Sequence, residues 1–170
     1  WPHDNATLAG GFRRYGYAAE AAQVAKALFD AAEQFAGTRL PELFSGMPRV
    51  PASFPAPYLG ANVPQAWAAG AIFRLVAILC GIHATFEAGE PKLYVNPALP
   101  DWLPEITLHN LRVGNGALEI HCRDGAVDVL SNTSGFTVMH SPAPGPLGSR
   151  GAVSVEPPKP SGSQELASTG

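Results

Sequence analysis

The sequence predicts a mainly α fold, an arc of a two-layer helical toroid with a small antiparallel β appendage, and three observations predict it. Apolar residues recur at helical spacing from Leu8 to Phe35 in two stripes separated by Gly16, the pattern of a helical hairpin. A further run, Ala66 to Ile82, is apolar on every face except near Gln65 and Arg74, which marks a helix enclosed by other elements. Beyond it, three short segments alternate with period two and are separated by Asn115-Gly116 and Asp124-Gly125, the pattern of a β-meander. An outer amphipathic helix, a long loop and an inner apolar helix make one unit of such a toroid. Two and a half helices cannot close it.

Residues 1–90 form the helical part. Leu8, Phe12 and Tyr15 mark the first helix; Arg13 and Arg14 in its last turn favour the helix dipole, and Gly16 takes the left-handed exit. The second helix runs from about Ala18 to Phe35, with Glu20, Gln23, Lys26, Asp30, Glu33 and Gln34 opposite its apolar stripe, so one face meets water. From Gly37 to Val63 five prolines, at 41, 48, 51, 55 and 57, exclude both periodicities, and the segment is a long loop. Phe44, Phe54 and Tyr58 predict that it packs, and loops of this length are where function concentrates. Pro64 opens the inner helix at a position where its missing N–H costs nothing.

Residues 91–140 form the β appendage, with strands at Ile106–His109, Ala117–Cys122 and Ala126–Leu130 and a candidate fourth at Phe136–Met139. Residues 141–170 are rich in Pro, Gly and Ser and are predicted to be a disordered tail.

Composition narrows the function classes. With 11 basic and 14 acidic residues, a net charge of -3 and a pI near 5.9, the chain lacks the cationic surface that nucleic acid or an anionic membrane requires; neutral or polar ligands fit better. The apolar run carries Arg74 at its centre, so a buried helix is expected rather than a membrane span. Arg74 then needs a carboxylate partner. Cys80 and Cys122 make neither a disulfide framework nor a metal cluster, so free thiols, no metal and no cofactor are expected. The chain opens at Trp1-Pro2-His3-Asp4-Asn5 with neither an initiator Met nor a signal sequence, and reads as a piece of a longer protein, expected in the cytoplasm. No phosphate-cradling glycine loop or Ser-His-Asp order competes for the chemistry: Gly10-Gly11 sits in a helical pattern and Gly145 to Gly151 in the tail.

Trp1-Pro2-His3-Asp4-Asn5-Ala6, Leu40-Pro41-Glu42-Leu43-Phe44-Ser45-Gly46 and Pro64-Gln65-Ala66-Trp67-Ala68-Ala69-Gly70 occur in that order, followed by Leu99-Pro100-Asp101-Trp102-Leu103 and Leu111-Arg112-Val113-Gly114. In these motifs residues 1 to 130 resemble the bacterial amylo-α-1,6-glucosidase type of glycogen-debranching enzyme, among the glycoside hydrolases built on an (α/α)6 barrel. The resemblance implies that the chain is the C-terminal part of the barrel plus its β appendage. It implies an inverting hydrolase acting on an oligo- or polysaccharide such as an α-glucan, in which one carboxyl group protonates the leaving oxygen and another activates water.

Under this resemblance Glu42 matches the general base. The general acid, an Asp, belongs to an earlier part of the barrel, so the missing N-terminal part is itself a partner and the isolated chain is expected to be inactive. From the residues alone, Glu42 reads equally as a solvated loop carboxylate. Asp4 and Asn5 read as helix caps; the resemblance makes Trp1, His3 and Asp4 sugar contacts, an indole packing on a sugar face beside polar groups. Gln65 faces the pocket or bonds the loop backbone, and Trp67 is a core residue or a sugar contact. His3 is neither a metal ligand nor a base. The chain departs from the family at Ser45, where members carry Cys, and at Asn62-Val63, where they carry Cys-Ser. Alternatives are a trehalase-like or mannosylglycerate-hydrolase-like enzyme of the same superfamily, and a non-catalytic remnant that binds carbohydrate or protein.

Overall fold

The structure is a computed structural model that describes residues 1–48, 50 and 53–144. From residue 145 onward the predicted tail lies outside the described residues.

Helix α1 (Pro2–Arg14) and helix α2 (Ala18–Glu33) form the hairpin. Gly16 adopts φ 91° at the corner, as its place after Arg13-Arg14 predicts. Helix α3 (Ala66–Cys80) follows the long loop. His3 at the start of α1 meets Trp67 at the start of α3, and a Cβ on Gly10 would stand 3.3 Å from Arg74 Nη2, so α1 and α3 run side by side in the same direction. Ala6, Ala9, Ala21, Ala25 and Ala71 are buried with Leu28, Leu75 and Leu79 at the centre of the three helices. Small side chains let the helices approach closely, and the leucines fill what space remains.

The chain leaves α3 through Gly81, in the left-handed conformation, into strands β1 (His83–Glu87) and β2 (Glu90–Tyr94). They pair antiparallel across Ala88-Gly89, both at positive φ, the conformation that a tight hairpin demands. Strands β3 (Glu105–Val113), β4 (Gly116–Arg123) and β5 (Ala126–Asn132) form a second sheet in the expected meander. Strand β6 (Thr137–Met139) does not extend it: β6 crosses over and pairs parallel to β2. Cys80, Leu93, Val95, Leu118, Ile120, Cys122 and Val127 form the core that joins the sheets to the end of α3. Leu99 packs against this core and against the helical one.

The fold class is therefore corrected. Among the described residues three α-helices and two three-stranded sheets, 33% helix and 28% strand, make an α/β mix rather than a mainly α arc of an (α/α)6 toroid. The physical reason lies in where α3 spends its apolar surface. Its C-terminal half packs on the sheets through Val76 and Cys80, and Leu75 and Leu79 pack on α1 and α2. Its N-terminal half keeps a bare face, with Trp67 68% and Phe73 77% exposed. Arg74, expected to be buried, is exposed, with its guanidinium beside Gly10 of α1. No helix among the described residues is long and apolar enough to cross a membrane.

Candidate functional site

The long loop is held at its root as a ladder. Tyr58 N donates to Leu43 O (3.0 Å), Ser45 N to Ala56 O (2.9 Å) and Glu42 N to Asn62 O (2.9 Å), and Phe44 bridges Pro57. Proline-rich arms have few N–H groups to give, so these bonds fall on the residues between the prolines. Phe35 packs on Phe44 and Phe54, with ring centroids 6.2 and 4.8 Å apart, which seats the loop on the end of α2. Phe44 and Phe54 thus pack as predicted, whereas Tyr58 is exposed.

Glu42, half-buried, stands at the root of this ladder. Asn62 Nδ2 and Asn62 N both donate to Glu42 Oε2, at 2.8 and 3.2 Å. Glu42 Oε1 accepts no hydrogen bond from the described residues. One carboxylate oxygen is thereby fixed and the other is left to accept a proton, the arrangement a base needs if water approaches from the open side. Leu40, two residues before Glu42, is buried with Ala68 and packed against by Phe44, so the loop root rests on the first turn of α3.

The N-terminal ends of α1 and α3 bring together four of the other predicted residues. The His3 ring lies edge-on to Trp1 and to Trp67, with centroids 5.3 and 5.0 Å apart. Its Nε2 stands 3.2 Å from Asp4 Oδ1, and its Nδ1 is buried without a hydrogen-bond partner. Trp1 is 46% exposed, so both indoles present area to solvent around one imidazole. Trp67 is thus not a core residue. Asp4 does not cap α1: the N-cap is Trp1, with no side-chain cap, and Asp4 lies in the first turn, where its charge favours the dipole. Asn5 Nδ2 donates to Trp1 O (2.9 Å) instead.

Gln65 is drawn away from solvent by the backbone, as the N-cap of α3 with Oε1 accepting from Ala68 N at 3.1 Å. That oxygen is therefore taken up by the helix backbone rather than offered to a ligand. Glu42 joins this end of the molecule through Asn62, three residues before Gln65. Asn62 is the residue that sequence reasoning passed over as a family departure; nothing in the local pattern signals a side-chain bond that spans the whole loop. Among the described residues no group of three His, Cys, Asp or Glu side chains is placed to hold a metal ion. No family model matches the chain, and no curated protein matches it.

Proposed function

We propose that the chain supplies the general base, Glu42, and part of the sugar pocket of an inverting glycoside hydrolase of the amylo-α-1,6-glucosidase type. The observation that carries this reading is the tethered carboxylate: Glu42 Oε2 is fixed by two N–H groups of Asn62 while Oε1 stays open. Support comes from the Trp1–His3–Trp67 corner at the same end of α1 and α3, whose exposed indole faces suit the C–H face of a neutral pyranose. Asp4 adds an exposed acceptor for sugar hydroxyls. In the mechanism Glu42 takes a proton from water as that water attacks the anomeric carbon, and an acid on the opposite side protonates the leaving oxygen. The family resemblance assigns that acid to an Asp in an earlier stretch of polypeptide, so the 170-residue chain alone is proposed to be inactive. Buried free thiols at Cys80 and Cys122 suit the reducing cytoplasm as the location.

The Asn62 clasp also favours a second reading, in which Glu42 only closes the loop and the aromatic corner binds carbohydrate without cleaving it. Glu42→Gln separates the two, because the amide oxygen still accepts from Asn62 while the charge is lost. In the intact enzyme, on isomaltosyl-branched dextrin, the first reading expects kcat to fall about 10³-fold or more with the melting curve unchanged. Undiminished turnover would leave the loop-closing role alone.

A further inference from the structure

Helix α3 leaves one side unoccupied. Ala66, Gly70 and Phe73 lie four and three residues apart on that side, and all three are exposed. Trp67 and Arg74, also exposed, border it on the α1 side, Trp67 beside the His3 ring and Arg74 with its guanidinium beside Gly10. Arg74 has no ion-pair partner among the described residues. Asp4 stands at the Trp67 end of the same border, its carboxylate 3.2 Å from His3 Nε2 and its side chain 69% exposed. Gly70 is inside the helix, where glycine is the least favourable residue after proline, yet a Cβ on it would meet nothing within 4 Å. Packing within the chain gives no reason for a glycine there; close approach of a second helix does.

We propose that this face of α3 pairs with the same face of a second copy of the chain, antiparallel about a two-fold axis at Gly70. Such an axis keeps both α1 helices on one side of the paired α3 helices; a parallel pair would set them on opposite sides. Arg74 follows Gly70 by four residues and Trp67 precedes it by three, about 6 and about 4.5 Å along the helix. Arg74 of one copy therefore comes level with Trp67 of the other on the same border, its guanidinium against the indole and the Asp4 carboxylate beyond. Phe73, on the far side of the face, comes level with Ala66 and Ala69 of the second copy, whose small side chains leave room for its ring. The occupant is a second copy because the chain itself carries, at the matching height, the carboxylate that Arg74 lacks. A single exposed helix face makes a small interface, so the pairing is weak and concentration-dependent. The inference does not rest on the hydrolase reading; pairing covers Trp67 and Asp4, so a sugar meets that corner only in the unpaired chain.

The test is sedimentation velocity of the 170-residue chain from about 1 to about 300 µM, the range in which a weak dimer forms and dissociates. The expected result is a monomer–dimer equilibrium that Arg74→Asp or Asp4→Arg weakens about tenfold or more, and that the double variant carrying both reversals regains. Gly70→Leu places a good helix former in open space, so it should raise the melting temperature of the dilute chain while abolishing the dimer. These opposite directions separate loss of pairing from loss of folding, and keep the test decisive should a charge reversal not fold. Leu130→Ser, at an exposed apolar position of β5 away from α3, should leave the equilibrium unchanged. A monomer at every concentration, a dimer indifferent to the reversals or to Gly70→Leu, a double variant no better than the singles, or loss of the dimer in Leu130→Ser would overturn the proposed pairing.

Discussion

Replacing Gly81 by Ala tests the joint between the helices and the sheets. Gly81 ends α3 at φ 63°, ψ 36°, a conformation that costs a residue with a Cβ about 1 to 2 kcal/mol. The Cβ would also stand 2.2 Å from Asn96 O and 2.8 Å from Asn96 C, backbone atoms that no rotamer change can move aside. Asn96 is fixed from other directions: its N–H donates to Cys80 O at 3.2 Å, and its carbonyl accepts from Arg13 Nη2 at 2.6 Å. Relieving the overlap therefore displaces the strand exit and strains the Arg13 bond, an overpacking cost of about 1 to 3 kcal/mol. The whole effect is about 2 to 5 kcal/mol, or a melting temperature lowered by roughly 5 to 15 °C. Gly89→Ala is the control, since Gly89 also has positive φ, 85°, but an added Cβ meets nothing within 4 Å. Urea unfolding followed by circular dichroism should show Gly81→Ala losing clearly more stability than Gly89→Ala. Equal losses would refute the close approach of Asn96 to the end of α3.

Three further outcomes are expected. Gln65→Ala removes the cap of α3 and should cost about 1 kcal/mol in urea unfolding, with Gln65→Asn, a strong N-cap residue, restoring most of it. Glu87 accepts hydrogen bonds from Lys92 (2.7 Å) and Tyr94, and these hold its carboxyl below the usual range, the Lys92 bond foremost. Its stabilising contribution is thus present above the unfolded carboxyl pKa, about 4.3, and is lost as pH falls through the lower folded value; Glu87→Gln should flatten the acid limb of stability against pH over that window, as urea midpoints would report. Cys80 and Cys122 are fully buried, and the Cys122 contact together with burial pushes the Cys80 thiol up. Neither thiol should react with a thiol reagent until urea unfolds the chain, when two should be counted; rapid reaction of the native protein would contradict the sheet-to-α3 core.

The sequence is most legible where periodicity and turn chemistry agree. The α1–α2 hairpin, the apolar α3 and the β3–β4–β5 meander follow from spacing, and Gly16 and Asp124-Gly125 take positive φ as turn residues should. Between β3 and β4 the positive φ falls on Gly114 instead of the predicted Asn-Gly pair. Gly116 is needed for a different reason, since a Cβ there would lie 1.9 Å from Thr133 O. Strands β1 and β2 escape notice because Pro91 discourages a strand reading, although β6 pairs only with Lys92 to Tyr94, beyond the proline. With this sheet missed, the meander reads as a small appendage, and α3, whose end packs on the sheets, reads as the inner helix of a toroid.

At the site, Glu42 and the Trp1, His3, Asp4 and Trp67 group are visible as motifs; the Trp1–His3 and His3–Asp4 contacts are local, and the His3–Trp67 contact is a tertiary fact. Gln65 shows the limit of a motif: the same residue reads as a ligand contact and serves as a cap. The partnership of Glu42 with Asn62 depends on closure of the loop, which leaves no local pattern in sequence.

The most direct measurement of the central claim is chemical rescue. Glu42→Ala in the intact enzyme removes the base and opens space beside Asn62 for a small external nucleophile, so added azide should restore turnover of an α-linked substrate and yield the β-glucosyl azide, as inversion requires. Turnover by Glu42→Ala equal to wild type, or a fully inactive variant that azide neither rescues nor converts to an azide product, would contradict Glu42 as the base.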